Sequence, residues 1–91
     1  MKNLLQYNYD EKYDILYISK IPNEPSIAEE DEDGIVIRYS CKTNKFVGIT
    51  IFDFKKRLVN KNFPKVFKHV ESNYLYEIRD KLNLTTAWLI S

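Results

Sequence analysis

The residues with chemistry to offer are few. Cys41 is the only thiol and His69 the only imidazole in the 91-residue chain, so a nucleophile and its base would need these two plus a third, orienting group. Nothing in their spacing brings them together, since Cys41 falls in the polar connection Cys41-Lys42-Thr43-Asn44-Lys45 and His69 in a basic helical stretch. A structural zinc site wants four ligands, chiefly Cys and His, and fails by count. Asp10 and Asp14 read either as a carboxylate pair for acid and base work or, more commonly at a tight turn, as acceptors for backbone N–H groups. The acidic run from Glu29 to Asp33, closed by Gly34, imitates the start of a calcium loop, but the twelfth position from Glu29 is Ser40, where a bidentate glutamate is needed. It therefore reads as a solvated turn. Gly34 and Gly48 stand too far apart for a phosphate-binding loop. No catalytic residue, metal or cofactor is expected, and the chain reads as a non-enzyme.

Charge is the next signal. Residues 1–40 hold nine acids and four bases, a balance of −5, and residues 41–91 hold ten bases and four acids, a balance of +6. Lys55, Lys56, Arg57, Lys61, Lys65 and Lys68 follow one another with no acid between Asp53 and Glu71. Such a stretch suits contact with phosphates. It equally suits the solvent face of an amphipathic helix, or pairing with the acidic half. The net charge of +1 argues against a dedicated nucleic-acid binder. Trp88, beside Leu89 and Ile90, is either a core plug or an anchor for a partner.

These residues must be positioned by elements that the pattern also defines. Leu5 to Tyr9 alternates with period two and sets Leu5, Tyr7 and Tyr9 on one face. Further strands are expected at Ile15 to Ile21, Ser26 to Glu29, Ile35 to Tyr39 and Phe46 to Phe54. In the last of these, Val47, Ile49 and Ile51 would share one face, and Phe46, Gly48, Thr50, Phe52 and Phe54 the other. Gly48 in mid-strand signals a bulge or the close approach of another group. After Phe54 the period lengthens: Phe63, Phe67, Val70, Tyr74, Ile78 and Leu82 make one helical stripe, with a break at Ser72-Asn73 as an alternative. The expectation is a single α+β domain, an antiparallel β-meander of four to five strands (residues 1–54) covered on one face by a C-terminal helical segment (55–83), ending in a terminal strand or arm (84–91). The uncovered face carries tyrosines and would be covered by dimerisation or by a partner.

Three blocks, Tyr9-Asp10-Glu11-Lys12-Tyr13-Asp14-Ile15-Leu16-Tyr17-Ile18, then Asp33-Gly34-Ile35-Val36-Ile37-Arg38-Tyr39, then Val47 to Arg57, make the chain resemble the small prokaryotic domain-of-unknown-function family 2283 over about residues 7–58. The resemblance implies a β-meander with a helical end and no assigned activity. It also implies a role beside small presumed toxins, as their neutralising partner. Tyr13, Thr50 and Lys55 depart from the family's usual residues.

The sequence thus points to a small protein that acts by binding another protein, itself or a toxin-like partner, with Tyr7, Tyr9, Tyr17 and Trp88 as candidate contacts. Nucleic-acid binding through Lys55, Lys56, Arg57, Lys61, Lys65 and Lys68 is the alternative, and a small enzyme a third. The longest apolar runs are far too short to cross a bilayer, and the first ten residues lack the apolar stretch of a secretory signal. With a single cysteine, the expected address is the cytoplasm.

Overall fold

The computed structural model describes residues 5–21, 24–60 and 67–82. Five strands, β1 (Leu5–Asp10), β2 (Ile15–Lys20), β3 (Ser26–Glu30), β4 (Val36–Ser40) and β5 (Phe46–Phe52), precede two helices, α1 (Phe54–Asn60) and α2 (Ser72–Leu82). All neighbours are antiparallel, in the order β1-β2-β5-β4-β3. The fold is the α+β class expected. Its order departs from a plain meander at one point, where β5 inserts between β2 and β4. The most apolar strand is thereby central, and β1 and β3, with their polar and acidic residues, take the edges.

Alternation holds along β1, β2 and β4. Leu5, Leu16, Ile18, Ile35, Ile37, Ile49 and Ile51 form one buried cluster with Phe54, Phe67, Val70, Tyr74 and Ile78 of the helical layer. It fails in β5. Arg38 pairs with Gly48, yet the next residue, Tyr39, pairs with Phe46, so Val47 is an extra residue in the strand. This bulge turns Phe46 onto the covered side, where it is 2% exposed and its ring stands 5.8 Å from that of Tyr74. Strict period two had put Phe46 with Gly48 instead. Phe54 also leaves its expected face, because the strand stops at Phe52 and Asp53, at φ 57°, swings the chain into α1. Aspartate tolerates this left-handed conformation better than most residues.

The long helical stripe is real as a buried stripe but not as one helix. Phe67 and Val70 belong to a turn closed by the Val70 N–H on the Phe67 carbonyl at 3.0 Å, and α2 starts only at Ser72. A turn of this kind returns side chains at i and i+3 to one side, as a helix does, so the same spacing is satisfied twice. Arg79 and Lys81 in the last turn of α2 complement its dipole. Phe63, the first residue of the expected stripe, and the expected terminal strand or arm at 84–91 lie outside the described residues. Among the described residues no helix is long and apolar enough to cross a membrane.

Candidate protein-binding face

The polar side chains sort into two groups, those that tie the layers together and those left on the open side of the sheet. Asp14 is the centre of the first. It takes φ 57° at the end of the β1–β2 turn, and its Oδ1 accepts from the Tyr9 hydroxyl at 2.6 Å and from the Lys55 N–H at 2.9 Å. Its backbone carbonyl accepts from the Phe54 N–H at 3.1 Å. The carboxylate therefore caps α1 from another hairpin, satisfying N–H groups that a helix start leaves unpaired. Burial pushes the Asp14 carboxyl up, but the Tyr9 hydroxyl, the Lys55 and Lys56 N–H groups and the Lys55 charge outweigh it and hold it below its usual value. The hydrogen bond to Asp14, then burial, then nearby carboxylates raise Tyr9 to about 12. Asp10 meanwhile accepts the Tyr13 N–H at 3.2 Å. Each aspartate of the supposed catalytic pair thus serves backbone N–H groups.

A second tie joins the acidic turn to the helical layer. Asp31 Oδ1 accepts from the N–H groups of Asp33 (2.8 Å) and Ile35 (3.0 Å), the Asx geometry that favours aspartate in turns. Lys68 Nζ lies 3.7 Å from Glu32 and 3.6 Å from Asp33, and His69 Nε2 lies 3.3 Å from Asp31 Oδ2, close enough for an ion pair but not aligned as a hydrogen bond. Burial raises the Asp31 carboxyl; the two N–H groups and the charges of Lys68 and His69 lower it further than that, to a net depression. The calcium-like run is a structured turn facing bases.

The candidate contacts divide accordingly. Tyr7 and Tyr9 lie on the covered side. The Tyr7 hydroxyl donates to Glu77 of α2 at 3.3 Å, with Lys81 Nζ 5.8 Å from its ring, and burial followed by the Glu77 charge pushes the phenol well above its ordinary value. Tyr9 packs edge-on to Phe54, with Lys55 Nζ 5.5 Å from its ring. Only Tyr17 stands on the open side, and Trp88 lies outside the described residues. Of the basic stretch, Arg57 donates to the carbonyls of Phe52 (2.7 Å) and Asp33 (3.0 Å), Lys68 faces the acidic turn, Lys55 and Lys56 are exposed, and Lys61 and Lys65 lie outside the described residues. His69 and the exposed Cys41 are not brought together, since His69 meets Asp31. Among the described residues no three His, Cys, Asp or Glu side chains gather as a metal ion would require.

The open side of the sheet holds the residue that sequence reasoning missed. Strand pairing sets Gln6, Ser19, Gly48, Arg38 and Ala28 in one row across the sheet, and Asn8, Tyr17, Thr50, Val36 and Glu30 in the next. Arg38 lies flat over Gly48, where a Cβ would stand 2.7 Å from its Cζ and 2.9 Å from its Nε. Its guanidinium donates to Ser19 Oγ at 2.6 Å and Ser26 Oγ at 3.4 Å. Both expectations for Gly48 are met, the bulge beside it and the close approach above it. Among the described residues no carboxylate lies within ion-pair distance of Arg38. Tyr17 (38% exposed) and Phe52 (41%) lie on the same face, one and two rows away from it.

Fold and face together define a small α+β domain in which, among the described residues, one side of the sheet is packed and the other presented. The model of the family described as "Protein of unknown function (DUF2283)" matches residues 6–55, more than half of the chain, and the chain belongs to that family. The matched stretch runs from β1 to the start of α1, so it includes Asp14, Arg38 and Gly48. No curated protein and no solved structure matches.

Proposed function

We propose that this protein works without catalysis, by binding another protein through the open face of its sheet. The observation that carries the reading is the pairing on one face of exposed aromatic surface, Tyr17 and Phe52, with an arginine that has no acidic partner among the described residues. Aromatic and arginine side chains are the types that dominate binding energy at interfaces. Arg38 enters such an interface with its fork already oriented by Ser19, which lowers the entropy lost on binding. The basic stretch supports nucleic-acid binding less, because Arg57 and Lys68 are engaged within the chain. A toxin's neutralising partner is the form of the role that the family resemblance implies.

Affinity capture from the native host, with the wild-type chain beside folded Tyr17→Asp and Phe52→Asp variants, tests the proposal. A protein recovered with the wild type and lost with both variants is the expected result, a differently tagged second copy of the chain included. Equal recovery by all three overturns it.

A further inference from the structure

We infer that the open face is self-complementary and pairs with the open face of a second copy, each Arg38 meeting Asp10 of the other chain. The inference rests on the reading of that face as protein-binding and names its occupant. Asp10 lies in a third row of the face with Ile15 and Phe52. One of its oxygens takes the Tyr13 N–H, and among the described residues no base lies within ion-pair distance of it. Arg38 and Asp10 are thus opposite charges on one face, each lacking a charged partner among the described residues.

Their positions decide how two faces can meet. Arg38 stands three strands from β1, and Asp10 two rows from Arg38. With about 4.8 Å between strands and about 6.8 Å between successive same-face residues, both offsets are about 14 Å. The midpoint of the diagonal falls between Tyr17 and Thr50, the middle of the face. A two-fold axis parallel to the sheets, passing over that midpoint at about 45° to the strands, exchanges the Arg38 position of one chain with Asp10 of the other. It crosses the strands of the two sheets at about 90°, one of the two angles at which sheets pack face to face. Two ion pairs form at once, on either side of Tyr17.

Other arrangements do worse. An axis along the strands over β5 sets Arg38 above Ser19 of the second copy, where no carboxylate waits. Pairing Arg38 with Glu30 centres the contact at the β3–β4 edge and crosses the strands at about 70°, away from both angles at which sheets pack face to face. Among these three arrangements of the described residues, the Arg38–Asp10 diagonal alone satisfies the charges, centres on the middle of the face and crosses the strands near about 90°.

Sedimentation equilibrium of the full chain reads the outcome. The wild type is expected to be a dimer, and Arg38→Asp and Asp10→Arg, each breaking two pairs and setting like charges together, are expected to weaken it by about a hundredfold or more. The doubly exchanged chain, Asp10→Arg with Arg38→Asp, is expected to dimerise again. Gly48→Ala provides a second approach if the charge variants fold poorly, since the added methyl displaces the guanidinium while leaving every charge in place; it too should weaken the dimer. A monomeric wild type at hundred-micromolar concentration, a dimer unmoved by Arg38→Asp, or a folded double exchange that stays monomeric overturns the inference. If the wild type is monomeric while Tyr17→Asp still abolishes capture of another protein, this inference falls and the binding reading stands.

Discussion

Asp14 answers several donors at once, and the consequences are measurable at that one residue. In Asp14→Asn the charge is lost and an amide must face donors that a carboxylate accepted. Loss of the negative charge at the start of α1 should lower stability at neutral pH by about 0.3–1 kcal/mol. The Tyr9 phenol, held up at about 12, should return toward its ordinary value, visible in an ultraviolet titration. The pH dependence has a definite sign. Because the folded carboxyl sits below its unfolded value, its contribution is fully present above about pH 4 and is lost as the pH falls through the folded value. Urea denaturation of wild type and variant should therefore differ at pH 7 and converge in strong acid; a difference that persisted at pH 2 would remove the ionic account. At this scale the sequence was partly legible. A turn aspartate is expected to accept backbone N–H groups, but the helix capped by Asp14 is distant in sequence and no local pattern reveals it. Arg38 was not legible. A lone arginine in an alternating strand reads as a solvent-facing residue, and only the cross-strand register places it over Gly48.

The strands and helices were read correctly wherever one period ran undisturbed. Errors arose where an element changed its geometry without changing its composition. The bulge at Val47 keeps β-branched and aromatic residues on both sides of the shift, so Phe46 looked as though it belonged with Gly48. The break before Ser72 is not such an error, since a break at Ser72-Asn73 is one of the two alternatives; it lies in a stripe whose spacing a turn and a helix share. The stripe nonetheless makes a sharp distinction within α2. Ile78 is fully buried and Tyr76 is 63% exposed. Ile78→Ala should cost roughly 2–5 kcal/mol, whereas Tyr76→Ala should stay within about 0.5 kcal/mol. Chemical denaturation of the two variants checks this, and similar losses would mean that α2 does not seat its apolar stripe on the sheet.

For the molecule as a whole, the arrangement of strands sets where the fold is firmest. β5 is hydrogen-bonded on both sides and carries Ile49 and Ile51, each with no exposed surface. β1 and β3 each have one free edge among the described residues, and β3 is mostly exposed. Amide hydrogen exchange should accordingly be slowest in β5 and fastest, among the strands, in β3; equal protection across the sheet would contradict this. The opposed charge of the two halves of the chain also finds its place at this scale, since Lys68 and His69 draw the helical layer onto the acidic turn between β3 and β4.

Among the described strands, the central one is also the last to be made. While the polypeptide is still emerging from the ribosome, the β1–β2 hairpin and the β3–β4 hairpin each wait with one bare flank for the segment that will join them. Chains cut short before residue 46 lack the segment that joins the two hairpins. The sheet can therefore close only once β5, through Phe52, has left the ribosome.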